Sequence, residues 1–523
     1  MNKRKENLEA FRQSLGKSTA SKEAYLEAQK VPEPTHQMLS GTLGYKIEDK
    51  LHFLSILNTY LIKDTFYKSK SDFISDFRDL IEKLVMKDPE FVVKALIYSR
   101  CKGSGLRAIT QLGAVLALPF IKGTTLAEKL FRPYSKTTGK GGMIYRPDDM
   151  VNILDIYKTL GGEGVMPNSM KKGFRKAIES FDSYTLLKYK KAIIDISNIV
   201  HPNPNNSSAV VEVDNKTIST ISAILTGKSV EADTWETGLS KVGQIVKEYA
   251  NEAEKERVLK EGKTLIFKDL LESNSLGYLA LLRNIRNILT NDTQGELTDL
   301  LCKRIKDYEG IKRAKIMPHQ ILNTFLNTTS YKVLSALNNA INKSMDNFRE
   351  VITGKTAVLL DVSGSMYDCK NEASAIAAIL NIGLKELDLF TFDDECQKAD
   401  TTYDKDFMFT YKEYLSYFDG GGTNIPNALY YTLRREKNYD RIIIISDNES
   451  TRYGCIEEYK KIIKANPNIR IYSIDLVSYG ESSLPIDGRI NLYFGKTFKL
   501  FDDMILSEFN PDFYIEEVNK VEL

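Results

Sequence analysis

The sequence predicts a multidomain protein: an all-α helical array over residues 1–353, then an α/β doubly wound domain over residues 354–523. Three observations predict it. Apolar residues recur at helical spacing through the first part. After Gly354, short apolar strands alternate with helices. The charge also divides: residues 354–523 hold 19 Lys+Arg against 29 Asp+Glu, a net of −10, while residues 1–353 hold 53 against 41, a net of +12. A chain of 523 residues also exceeds what one hydrophobic core usually serves.

In the first part, "DFISDFRDLIEKLVMK" (72–87) places Phe73, Phe77, Leu80, Ile81, Leu84 and Val85 on one face. "PEFVVKALIYSRCK" (89–102) follows, with Pro89 suited to a first helical turn. "RPDDMVNILDIYKTL" (146–160) is a helix closed by Gly161-Gly162. Helices are expected over 167–181, 183–200, 275–290, 295–308 and 330–348. Many helices with short breaks suggest stacked pairs, although no clean repeat at a fixed period is found. The loop 201–209 is polar and helix-breaking.

In the second part, "TAVLLDVS", "DLFTFDDE", "RIIIISDN", "RIYSIDLVS" and "NLYFGKTF" read as strands. "EASAIAAILNIGLKEL", "NIPNALYYTLRRE" and "CIEEYKKIIKA" read as helices between them. Several strands are apolar on both faces, as a covered parallel sheet requires.

Ligands of such sheets bind at the C-terminal ends of the strands. Asp361, Ser363 and Ser365 leave the first strand there, Asp447 ends another strand at the same edge, and Thr423 follows three glycines in "DGGGTN". Five oxygen-bearing side chains without His or Cys suit a hard divalent cation, with Mg²⁺ the expected occupant. Asp393, Asp394 and Glu395 are expected to be a solvated strand end rather than a second site. No His or Lys stands beside them at a catalytic spacing, so a two-metal nuclease is not expected.

The basic part offers a polyanion site. Lys172, Arg175 and Lys176 share a helix face with Lys171 beside them; Lys188 and Lys191 lie three apart on the next helix, with Lys190 adjacent. Two neighbouring helices presenting such faces make a patch with phosphate-binding character.

The set D-x-S-x-S, Thr423 and Asp447 resembles the metal-ion-dependent adhesion site (MIDAS) of von Willebrand factor A domains. There two Ser and one Thr contact the metal, and an acidic group from a partner completes its coordination. "MPNSMKKGFRKAIESFDSYTLLKYKKAIID" (166–195) with its following "HP", "DTWET" around Trp235, and "LALLRNIRNIL" with Arg283 and Asn284 resemble the TROVE module of Ro ribonucleoproteins. "LNTYLIKDTFY" (57–67) is similar, more loosely, to an earlier segment of that family. Where many relatives carry Ser-His before the turn, this chain has Ser197-Asn198.

The resemblance implies a HEAT-like helical-repeat ring closed by a von Willebrand A domain, acting as a monomer. It implies a small noncoding (Y-like) RNA bound outside, single-stranded RNA 3′ ends entering the hole, Lys171, Lys172, Arg175, Lys176, Lys188, Lys190 and Lys191 as candidates for RNA contact, and an exoribonuclease or other protein engaged through the metal site. The implied role is a scaffold in noncoding RNA quality control or processing, not an enzyme. The alternative from another class is a protein–protein adaptor that uses the metal site without RNA.

Five scattered cysteines with no C-x-x-C pair argue against a disulfide framework or structural zinc, and lead to the expectation of a cytoplasmic protein. The basic N-terminus lacks the apolar core of a secretory signal. "LGAVLALPFI" (112–121), interrupted by Pro119, is too short to span a bilayer.

Overall fold

The computed structural model describes residues 31–523 apart from 136, 163–165, 204–214, 228–234, 293–294, 315, 317–320, 322–323, 326–327, 400, 402–405, 436–437, 487–488, 496–498, 508–509 and 511. The basic N-terminus, most of the loop 201–209 and the start of the Trp235 motif lie outside the described residues. Two compact units form: one takes residues up to 73, 277–285 and 302–515, the other 74–276, 286–301 and 516–523. The change of pattern at Gly354 marks where the sheet begins, at Lys355.

The second unit is helical, with one short hairpin pairing Tyr134–Ser135 with Lys140–Gly141. Its helices include Lys70–Lys87 (mostly), Pro89–Cys101, Arg107–Ile121, Pro147–Thr159, Asn168–Ser180, Ser183–Lys188 and Lys190–Val200. Phe73, Phe77, Ile81, Leu84 and Val85 are buried, as their spacing requires. Pro89 opens its helix, where a missing N–H is harmless, and the Asp88 carboxylate accepts from the Phe91 N–H at 3.0 Å. Helix Arg107–Ile121 runs through Pro119, which sits too near its end to interrupt it. The single helix expected over 183–200 is two, separated at Tyr189 (φ −108°, ψ 30°) without Gly or Pro to announce the break.

A buried carboxylate organises this unit. Asp149 accepts from Arg100 Nη2 at 2.8 and 2.9 Å, Arg107 Nε at 2.7 Å and Gln111 Nε2 at 2.9 Å. Backbone N–H groups of Tyr145 and Arg146 donate to its other oxygen at 3.0 and 3.1 Å. Three helices and a turn are tied to one side chain, which is wholly buried and fully hydrogen-bonded, as a charge in the interior must be.

The first unit holds a six-stranded sheet: β1 (Lys355–Asp361), β2 (Glu386–Phe392), β3 (Cys396–Lys398), β4 (Arg441–Ser446), β5 (Arg470–Asp475) and β6 (Ile490–Phe494). Their order is β6-β5-β4-β1-β2-β3, parallel except for the antiparallel edge strand β3. Ile442, Ile443, Ile444 and Ile445 are at most 1% exposed, because both sheet faces are covered. The chain leaves β1 to build β2 on one side and β4, β5 and β6 on the other. The topological switch point therefore lies between β1 and β4.

The strand Leu43–Lys46 pairs with His36–Gln37 and also with Glu481–Ser482. The helix expected over 330–348 divides at Met345 into Tyr331–Ser344 and Asp346–Val351. Periodicity did not reveal helix Phe407–Ser416 or strand β3. Cys101, Cys369, Cys396 and Cys455 are buried and Cys302 half-buried; all five are free thiols. No described helix is long and apolar enough to cross a membrane.

Candidate metal centre and basic helical faces

The five oxygen-bearing residues at the sheet edge converge. Asp361 is the last residue of β1 and Asp447 follows β4, so the two carboxylates flank the switch point. Ser363 and Ser365 sit on the turn leaving β1, their hydroxyl oxygens 3.3 Å apart. The Thr423 hydroxyl donates to Ser363 Oγ at 3.0 Å, although 60 residues separate them. Asp361, Ser363, Thr423 and Asp447 are at most 1% exposed, and Ser365 is 6% exposed.

Neighbouring hydroxyl and backbone groups satisfy part of this cluster and leave one carboxylate oxygen without a partner. Asp361 accepts from the Ser363 N–H at 3.0 Å and the Ser446 hydroxyl at 2.6 Å. Asp447 accepts from the Glu449 N–H at 3.2 Å, and its other oxygen is buried without a hydrogen-bond partner. Among the described residues no Lys or Arg pairs with either carboxylate. Burial pushes the Asp361 carboxyl above its ordinary range. Burial, and then the charge of Asp361, pushes Asp447 up. Two buried carboxylates and an orphaned oxygen without a counter-charge fit a hard divalent cation, and the all-oxygen donor set excludes a soft one. Because the set has only two carboxylates, no group of three or more His, Cys, Asp and Glu side chains suited to a metal occurs among the described residues.

The glycine loop is shaped by its neighbours. Gly420 and Gly421 have φ of 99° and 101°, which L side chains rarely adopt. The Gly421 carbonyl accepts from the Gly364 N–H at 3.1 Å, joining the loop to the D-x-S-x-S turn. Asp394 accepts from the Gly422 N–H and from Arg452 Nη2, each at 2.9 Å. Asp394 is exposed, as a strand end read as solvated would be, and also clamps the loop carrying Thr423. Ser446 and Asp394 were missed as supporting residues; the Ser-Asp pair closing "IIIISD" was the available signal for Ser446.

The RNA-contact candidates lie on helices Asn168–Ser180, Ser183–Lys188 and Lys190–Val200. Lys172 and Lys191 are exposed; Lys171 and Lys190 are half-exposed. Arg175 donates through Nε and Nη2 to the Val200 carbonyl at 3.0 and 2.8 Å, which caps the end of the neighbouring helix. Lys176 Nζ donates to Glu128 Oε1 at 2.7 Å, and Arg132 donates to the same oxygen at 3.0 Å. Those two bonds hold the Glu128 carboxyl down to about 2. Lys188 Nζ stands 5.7 Å from the centre of the half-exposed Tyr184 ring. Arg283 is exposed, and the Asn284 amide donates to the Ala280 carbonyl at 2.9 Å.

With this geometry in hand, known proteins place the chain. The chain combines a helical unit with a doubly wound unit that carries a convergent oxygen cluster. Residues 229–377 match the TROVE domain family, a match that runs through the D-x-S-x-S turn. The chain is 21% identical to telomerase protein component 1 of Mus musculus, over 57% of this chain and 14% of that protein's length. The crystal structure of the Deinococcus radiodurans RO (RSR) protein superposes with a TM-score of 0.54 and 15% identity, covering 90% of this chain and all of that one. The chain thus carries a segment similar to the TROVE domain family and shares the fold of the Deinococcus radiodurans RO (RSR) protein.

Proposed function

We propose that this chain is the RNA-binding scaffold of a small noncoding RNA ribonucleoprotein. Its ligands in this reading are a Y-like RNA and the single-stranded 3′ ends of structured or misfolded RNA, and its role is noncoding RNA quality control or processing. It performs no chemistry on the RNA. The HEAT-like ring closed by the von Willebrand A domain, residues 1–353 and 354–523, is the architecture that belongs to this reading. The observation that carries it is the set of lysine-bearing faces on adjacent helices inside the segment that resembles the TROVE module. Lysines gripping phosphate bind without reading bases, which suits a scaffold for diverse RNA ends.

In the same reading Ser363, Ser365 and Thr423 hold Mg²⁺ directly, and Asp361 and Asp447 hold it directly or through water. The ion supplies a site for an acidic group of a protein partner, an exoribonuclease or another protein. The test is anisotropy of a fluorescent hairpin RNA with a single-stranded 3′ tail, with and without Mg²⁺. Tail-dependent binding that survives Asp361→Ala supports the scaffold. No binding of any tailed or structured RNA favours the adaptor reading. Loss of RNA in Mg²⁺ that Asp361→Ala abolishes would reveal a nuclease.

A further inference from the structure

Thr423 and Asp447 sit on different loops, and the loop that follows Asp447 ties them together. Thr451 lies on that loop, half-exposed. Its hydroxyl accepts from the Thr423 N–H at 3.0 Å and donates to the Thr423 carbonyl at 3.1 Å. Its own N–H donates to the same carbonyl at 2.8 Å. One residue therefore grips both backbone groups of Thr423. The other side of the loop is anchored as well. The Ser483 hydroxyl accepts from the Ser450 N–H at 3.1 Å and donates to the Asn448 carbonyl at 2.8 Å. From the strand pair at 36–46, the Thr42 hydroxyl donates to the Ser450 carbonyl at 2.7 Å. The Ser40 N–H donates to the Glu449 carboxylate at 2.9 Å.

We propose that Thr451 is a positioning residue of the metal site: its hydroxyl fixes Thr423 relative to Asp447, so that the Thr423 hydroxyl oxygen faces the cation. This rests on the reading that the cluster binds a divalent ion. Thr423 is β-branched, so its side chain is confined to a few staggered positions and the direction of its hydroxyl follows its backbone. Thr451 holds that backbone at both its N–H and its carbonyl, and it shares a loop with the Asp447 carboxylate. Groups behind a metal ligand that fix its orientation typically change metal affinity by about 10- to 100-fold when removed. Ser40 and Thr42 lie outside residues 354–523, so a part of the chain that precedes the sheet helps to anchor the loop that does this positioning.

The test is Mn²⁺ titration of the full chain by calorimetry, with the melting temperature in chelator read for each variant. Thr451→Val keeps the branched shape and removes the hydroxyl, whereas Thr451→Ser keeps the hydroxyl. The expected result is a loss of Mn²⁺ affinity of about 10-fold or more in Thr451→Val, with Thr451→Ser close to wild type. Asn466→Ala is the control for stability alone. Its amide donates to the Tyr439 carbonyl at 2.8 Å, beside the starts of β4 and β5 and so at the opposite edge of the sheet. That variant is expected to melt lower in chelator and to keep its Mn²⁺ affinity. Wild-type affinity in Thr451→Val overturns the proposal and leaves the metal reading standing. Equal losses in Thr451→Val and Thr451→Ser overturn it, since the hydroxyl would then not be the cause. Equal losses in Thr451→Val and Asn466→Ala overturn it too, since affinity would then follow stability. A wild-type chain that binds no Mn²⁺ removes the metal reading and the proposal together.

Discussion

In the proposed reading, RNA affinity of the helical part falls with salt at a slope set by how many cationic heads reach phosphate. Seven candidates came from the sequence, but Arg175 is spent on the Val200 carbonyl and Lys176 on Glu128. Lys171, Lys172, Lys190 and Lys191 remain, with Lys188 as a fifth if its ammonium leaves the Tyr184 ring. At 0.7 to 0.9 released counterions per contact, four to five contacts give a slope of log affinity against log salt of about −2.8 to −4.5. Affinity then drops roughly 50- to 500-fold between about 50 and 200 mM salt, less than the thousandfold that six or more contacts produce. The assay is anisotropy of a tailed hairpin RNA across a salt series. Lys172→Ala with Lys191→Ala is expected to flatten the slope by about 1.4 to 1.8, whereas Lys176→Ala leaves it unchanged. A wild-type slope shallower than about −1, or a flattening by Lys176→Ala equal to that from Lys172→Ala, refutes the reasoning.

Further expectations concern three carboxylates. Asp447→Asn removes an unpaired buried charge, so its melting temperature in chelator equals or exceeds wild type, while the rise given by Mg²⁺ disappears; for wild type at 100 times Kd that rise corresponds to about 2.7 kcal/mol. Asp149→Ala strands the buried Arg100 and is expected to lower unfolding free energy by about 3–5 kcal/mol, read by urea denaturation. Glu128 is held down to about 2 by Lys176 and Arg132, so its contribution is present above its unfolded value and fades as pH falls from about 4.5 to 2. The deficit of Glu128→Gln, measured by denaturation at several pH values, is therefore full at pH 7 and shrinks through that window.

Local pattern was enough for much of this protein. The apolar run ending in Asp361, the isoleucines of β4 and the spacing of Phe73 to Val85 each encode an element through its own periodicity, and burial follows the same periodicity. The oxygen set was legible because strand ends of a doubly wound sheet share an edge, so residues distant in sequence share a place. What only the tertiary structure decided lies in contacts between segments that carry no mutual signal. Nothing in the sequence joins Asp394 to Gly422, Arg175 to Val200, or Thr59 to Ser478. Those pairings depend on where helices and loops pack, and packing reflects the sum of many weak contacts rather than any residue pattern. The sequence by itself determined which oxygen-bearing and basic side chains are present, and folding decided which lysines stay exposed and which side chains hold the oxygen cluster in shape.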